Sequence, residues 1–358
     1  MHKTSLLTSI ASVAIAATIA PLASCNMFHE DLPPCEVNHN LRFRWERNML
    51  FTDAFEGNVS SVEVYGFDSE TGVLAFTRKE SAETLWSNNN SMSLSGVAPG
   101  EYDLVAWCGL VPEGEDDPSF VLPDLQVGVS TLDELNCRME REINTDGTHH
   151  SSSDLYDLYH GKLDNVVIYS PDDSEHNMDS YTYTVDLTKD TNRVRIILQQ
   201  LSGDDIDPMN FTYTIEESNG LLHHDNSLLD DEMITYHPWR NSFGQAGIDT
   251  DLKDHGDTRA ITNVRVAIAD LTTSRLMADR QSILTVKNGD GDLVARIPLT
   301  DYALLVKGNY NKKMTDQEYL DRQDSYTLTF FLDANHHWVS SQVIINSWKV
   351  VFKDANFD

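Results

Sequence analysis

The feature that most constrains the fold is the alternation of apolar and polar residues in short runs. It is strongest over Tyr326-Thr327-Leu328-Thr329-Phe330-Phe331-Leu332. Successive side chains on an extended backbone point to opposite faces, so a period of two fits a strand with one face on a core. The same pattern recurs along the chain. Leu41, Phe43 and Trp45 alternate with Arg42, Arg44 and Glu46; Val62 and Val64 alternate with Glu63 and Tyr65; Tyr102, Leu104 and Ala106 alternate with Asp103, Val105 and Trp107. Further runs follow at Tyr181–Leu187, Val194–Leu198, Phe211–Ile215, Val264–Ile268 and Leu293–Ile297, with one or two more in 341–352. Turn formers such as Glu70-Thr71-Gly72 and Ala98-Pro99-Gly100 separate the early runs. A helical period is confined to Leu299–Leu305 and to a turn opening at Thr315, with Glu318 three residues on in a capping box. Many short strands with turns between them predict an all-β chain of two β-sandwiches in tandem. No strict short repeat is visible, which excludes a propeller or β-helix.

The start of the chain has a different character. One basic residue, Lys3, precedes an apolar run from Leu6 to Ala20, followed by Leu22-Ala23-Ser24-Cys25. The run is short for a permanent membrane helix and has the layout of a secretion signal. Its last four residues resemble a lipobox, in which the cysteine is acylated and the signal is cut just before it. Residues 1–24 are therefore expected to be a lipoprotein signal peptide, with Cys25 as the lipidated N-terminus. Residues 25–36, with Pro33 and Pro34, read as a tether. A polar stretch at Asn144–Ser153 marks a composition shift, so the expected domains are 37–155 and 156–358. Ser218–Asp257 reads as long connections with one strand, and Thr131–Glu142 as a strand in preference to a short amphipathic helix.

Charge and cysteines narrow the function. The chain has 57 acidic and 26 basic residues, a formal net charge of −31. No basic stripe is available to displace counterions from phosphate, which excludes nucleic acid. The same charge disfavours adhesion to anionic lipid, so the membrane link is expected to be covalent. With Cys25 lipidated, Cys35, Cys108 and Cys137 allow one bridge in three pairings.

No catalytic, cofactor or metal site is expected. The paired carboxylates at Asp116-Asp117, Asp172-Asp173, Asp204-Asp205 and Asp230-Asp231 read as solvated loops in so acidic a chain. His149-His150, His223-His224 and His336-His337 are poor chelating units if they lie on strands, because neighbours there face opposite ways. Asn288-Gly289-Asp290-Gly291-Asp292 lacks the twelve-residue calcium pattern and reads as a hairpin turn. Neither a phosphate-binding loop nor a nucleophile elbow occurs. Trp86, beside Asn88-Asn89-Asn90, is the aromatic with the best prospect of exposed binding, while Tyr181, Tyr183, Tyr213 and Phe330 read as core.

One stretch is recognisable. Gln317-Glu318-Tyr319-Leu320-Asp321-Arg322-Gln323-Asp324-Ser325-Tyr326, then Phe330-Phe331-Leu332-Asp333, Trp338 and Ile344-Ile345-Asn346-Ser347-Trp348, resembles the FimB-type family of fimbrial anchor subunits of Bacteroidetes. Asp31-Leu32-Pro33-Pro34-Cys35, Val64-Tyr65-Gly66-Phe67-Asp68, Tyr102–Trp107 and Val194-Arg195-Ile196 are similar to earlier segments of that family. Two positions depart from it: Cys108 after Trp107, and Ser347 before Trp348, where glycine is usual.

The resemblance implies two tandem transthyretin-like (Ig-like) β-sandwich domains and a lipoprotein of the cell outer membrane. Glu30 and Asp31, just after the lipidated cysteine, agree with display on its outer face in such bacteria. The implied role is non-enzymatic: anchoring the base of a fimbrium and limiting its length. The implied partners are fimbrial shaft subunits, joined by β-strand complementation, with no small-molecule substrate and no cofactor. Residues 341–352 are expected at the donating end of such a joint, with Ile344, Trp348, Val350 and Phe352 as the anchors, against the alternative that 341–352 is simply the last strand of the second domain. The competing function is a lipid-anchored surface adhesin for host glycan or protein. For Gln317–Tyr326 itself, local ion pairs that fix the start of the following strand are expected.

Overall fold

The computed structural model describes residues 37–110, 117–171, 173, 175–176, 178–249, 261–308 and 311–351. Strands dominate, as the alternation predicts, and they form two sandwiches and a small bridging sheet. In the first sandwich, Asn38–Arg44 lies between Ser180–Asp186, its parallel partner, and Ser91–Ser93. The facing sheet runs Thr188–Lys189, Tyr159–Ile168, Gly100–Cys108, Ser61–Asp68, Leu74–Ser81. Leu41, Phe43, Val62, Val64, Leu104, Ala106 and Val185 meet between them. At Gly161 the sheets approach so closely that a Cβ would stand 2.5 Å from Val185.

The other face of this five-stranded sheet is also buried. Tyr65, Phe67, Val105 and Trp107 join a second core with Leu135, Cys137 and Met139. Those last three accompany a three-stranded sheet of Leu221–His223, Asn136–Met139 and Phe120–Val121. A sheet covered on both faces reads as a nearly continuous apolar run. That explains why Leu104 through Cys108 are all buried.

The second sandwich packs two six-stranded sheets. One runs Arg240–Asp249, Ile261–Ser274, Thr191–Gln200, Ser325–Leu332, Trp338–Ile345, Trp348–Val351. The other runs Leu293–Pro298, Ile283–Asn288, Phe211–Glu217, Ile234–Tyr236, His149–Ser151, Glu142–Ile143. The strand singled out by its alternation sits inside the first of these, parallel to Thr191–Gln200 and antiparallel to Trp338–Ile345. Its Tyr326, Leu328, Phe330 and Leu332 are fully buried. Helices cover Leu299–Leu305 and Asp316–Arg322, the latter capped by Thr315 Oγ1, which accepts from the Glu318 amide at 3.0 Å. The Asn288–Asp292 stretch is a hairpin turn, in which Asn288 Oδ1 accepts from the Asp292 amide.

Three expectations need correction. The sheets do not divide at residue 155. Tyr159–Ile168, Ser180–Asp186 and Thr188–Lys189 belong to the first sandwich, while Phe120–Val121, Asn136–Met139, Glu142–Ile143 and His149–Ser151 lie with the second or the bridge. The chain crosses between sandwiches more than once, and the polar stretch near 150 is a turn closed by Asn144 and Thr148 that leads into the strand His149–Ser151, not a domain edge. Next, the described residues of Ser218–Asp257 hold three strands, Leu221–His223, Ile234–Tyr236 and Arg240–Asp249. The longest of them is an edge strand rich in polar residues, so it carries little alternation. Finally, Thr131–Glu142 is not strand throughout: it opens with a 3-10 turn, Leu132–Glu134, closed by a capping box between Thr131 and Glu134. Cys108 and Cys137 are both buried and free, which removes their mutual pairing. Burial pushes both thiols well up, as expected of inert cysteines. Cys25 and Cys35 lie outside the described residues.

Candidate functional site

Two regions carry the residues that the sequence singles out. The first is the C-terminal hairpin. Trp338–Ile345 and Trp348–Val351 pair antiparallel around Asn346-Ser347, with Ile345 opposite Trp348 and Val343 opposite Val350. Asn346 takes the left-handed conformation, φ 54°, and its Oδ1 accepts from the Thr327 amide at 2.8 Å, which ties the turn to the central strand. Ser347 follows that residue and does not take the left-handed conformation itself. Trp348–Val351 ends the order of its sheet.

The candidate anchors do not share one face. Val350 lies opposite Val343 and packs against the second core. Trp348 shares that face but is 64% exposed. Ile344 is half-buried and points the other way, opposite Lys349 in register. Phe352 lies outside the described residues. Trp86 is half-buried against the first core, which weakens its role as an exposed platform.

The second region is the seam between the sandwiches, and it absorbs the Gln317–Tyr326 motif. Asp321 is buried and accepts from Arg275, from Nη2 at 2.8 and 2.9 Å and from Nε at 2.9 Å. Gln317 Nε2 donates to the same carboxylate at 2.8 Å and to the Leu276 carbonyl at 3.1 Å. Arg275 also donates to the Asn226 carbonyl, and Asn226 Nδ2 donates to Asp190 Oδ1 at 3.0 Å. Burial raises the Asp190 carboxyl to about 7, although Arg275 pulls it down. Asp324 meets Lys189 at 2.8 Å, and Lys189 also reaches Asp157 at 2.9 Å. Arg322 pairs with Glu318 at 3.0 Å, donates to the Glu46 carbonyl at 2.9 Å and covers the Phe51 ring.

Among its ion pairs, Arg322–Glu318 is local. Gln317 also reaches Asp321 one turn on, but the ties to Arg275, Lys189 and the Glu46 carbonyl are long-range and span both sandwiches, so local pairing is only part of what the motif does. Charge-assisted bonds in a dry seam are directional, so they fix geometry as well as hold it. The sequence reading missed Arg275, Asp190 and Lys189. In a chain with 57 acids, neither Asp190 nor Asp321 stands out. Nor is every acidic pair solvated: Asp231 is buried and accepts from Arg141 Nη2 at 2.6 Å.

The comparisons agree with this architecture. A family profile for fimbrillin-A associated anchor proteins Mfa1 and Mfa2 matches residues 32–354. A candidate adhesin from Bacteroides thetaiotaomicron is 30% identical, with a TM-score of 0.73 over 90% of this chain and 99% of its own. Another structure from that organism, described as a candidate polysaccharide-binding protein, is 30% identical with a TM-score of 0.68, covering 89% and 99%. The fimbrial anchor protein Mfa2 of Porphyromonas gingivalis shares the fold at 17% identity and a TM-score of 0.61, covering 88% and 99%. No curated protein matches the chain in sequence. The sequence resemblance to fimbrial anchors therefore holds, and the chain belongs to the family of fimbrillin-A associated anchor proteins.

Proposed function

We propose that this chain is the lipid-anchored base of a surface fimbrium. Signal cleavage behind Ser24 leaves Cys25 to carry lipid at the outer membrane. Two or more acyl chains hold a protein far more firmly than one, which suits a subunit under a pulling load. A shaft subunit joins through β-strand complementation at the C-terminal edge. The observation that carries this reading is the position of Trp348–Val351 at the end of its sheet, with Trp348 64% exposed. An edge strand offers backbone donors and acceptors to an incoming strand, and an exposed tryptophan supplies an apolar anchor. Ile344 and Phe352 remain candidates, Ile344 from the opposite face. A fixed base limits filament length by closing one end to further subunits. Gene deletion with electron microscopy tests this: long filaments shed into the medium are expected, and normal filaments still attached to cells would overturn it.

One observation favours a second reading, a lipid-anchored adhesin for host glycan or protein. Tyr169, Tyr181 and His176 form a half-buried aromatic group, with ring centroids 4.8 Å apart for Tyr169–Tyr181 and 4.1 Å for Tyr169–His176. Such rings offer flat apolar surface with polar tips, and the polysaccharide-binding description of one relative points the same way. Glycan binding that survives Trp348→Ala and is lost in Tyr181→Ala would favour this reading over the first.

A further inference from the structure

His223 closes the strand Leu221–His223, and the chain then turns through Asp225–Ser227. Strand alternation stops there, so the two neighbouring imidazoles are not sent to opposite faces. The His223 and His224 rings lie 4.1 Å apart, inclined at 54°. A third donor arrives from a distant part of the chain. Asp133 sits in the single turn Leu132–Glu134, just before Asn136–Met139, which pairs with the His223 strand so that Asn136 faces His223. Asp133 Oδ1 is 3.5 Å from His224 Nε2. One ligand atom from each of Asp133, His223 and His224 lies within 4.8 Å of the other two.

We propose that Asp133, His223 and His224 form a site for a divalent transition-metal ion of the zinc type. Two imidazoles and a carboxylate suit zinc better than calcium or magnesium, which take oxygen ligands. A tetrahedral centre with bonds near 2.0 Å sets its ligand atoms roughly 3.3 Å apart, so the Asp133–His224 separation is already close to that of a filled site. Closing the rest falls to Asp133, whose side chain is 90% exposed and free to swing, and the same exposure gives an ion a path from solvent.

The histidine side of the site is prebuilt. The His224 carbonyl lies 3.0 Å from Nε2 of the buried His160, whose ring packs on Trp107 in the first sandwich. The Asp225 carboxylate stands 3.5 Å from His223 Nδ1, where it can orient the ring and leave Nε2 for the ion. The ion would fasten the turn at 133 to the turn at 223–227, on the bridging sheet between the sandwiches. Its role is structural: it ties two distant turns together and binds the folded arrangement alone, so binding adds to folding stability.

The test uses the full chain in detergent, stripped of metal with a chelator and titrated with zinc, calcium or magnesium chloride. Calorimetry is expected to show one zinc per chain, with a rise in Tm that calcium and magnesium do not give. Asp133→Asn should weaken zinc binding at least about tenfold, and His223→Gln with His224→Gln should abolish it. Because Asp133 is exposed, the metal-free Asp133→Asn variant should melt with metal-free wild type, which separates loss of the site from loss of the fold. Absence of zinc binding overturns the proposal. So does zinc binding that is unchanged in both variants, which would place the metal on other histidines.

Discussion

The seam and the C-terminal hairpin contrast in how they are held. At the seam, charged side chains reach distant segments: Arg275 meets Asp321, Lys189 meets Asp157 and Asp324, and Arg322 meets two carbonyls of the first sandwich. Each contact has one geometry, and losing a partner strands a charge. At the hairpin, the outer strand is tied along one side by backbone bonds and packs Val350 on the core. The difference suggests a division of labour. The seam makes the two sandwiches one body able to transmit load, while the edge is left for a partner to complete.

The sharpest way to break this contrast is at Arg275. Arg275→Met takes the nearest cation from the buried Asp321 and Asp190 carboxyls, leaving Asp321 only Arg47 at 4.0 Å, and about 3–5 kcal/mol of stability should be lost in urea unfolding. Adding Asp321→Leu should recover much of that loss, because an apolar pair tolerates burial that a lone carboxylate does not.

Trp348→Ala should do the reverse. Its exposure predicts a stability change within about 0.5 kcal/mol. As a central aromatic anchor, its loss should weaken capture of shaft subunits by about 2 kcal/mol, measured by surface plasmon resonance.

A third effect depends on pH. Glu217 is buried, accepts from Ser282 Oγ, and has its carboxyl raised to about 8 by burial. The folded state therefore holds a proton that the unfolded state releases from near pH 4.5 upward. Stability should fall as pH rises between roughly 4.5 and 8, by up to about 1.4 kcal/mol per unit. Glu217→Gln should flatten that slope in urea midpoints taken at pH 5, 6.5 and 8.

The smallest effect is at Arg322, whose Glu318 partner is partly exposed. Arg322→Ala should cost about 0.5–1 kcal/mol, read as a modest fall in Tm.

Much of the strand content was legible because one face of each strand meets a core. Tyr326 through Leu332 and Leu41 through Phe43 carry that pattern directly. Arg240–Asp249 was not legible, since an edge strand has no need to alternate. Nor was sandwich membership, because alternation names a strand but not its partner: Ser180–Asp186 reads like its sequence neighbours yet pairs with Asn38–Arg44. The Gln317–Tyr326 motif was visible as a motif, but its partners Arg275 and Lys189 are single charges in unremarkable surroundings. The rule that neighbouring histidines diverge holds along a strand, and His223-His224 escapes it by lying where a strand ends.

The central claim is that lipid at Cys25 is the fixed point of a filament, and Cys25→Ala in the native host tests it most directly. Culture medium and cell envelopes are probed separately for this subunit and for fimbriae. Release of both together into the medium is the predicted result; a variant that stays in the membrane with its fimbriae attached would contradict the account.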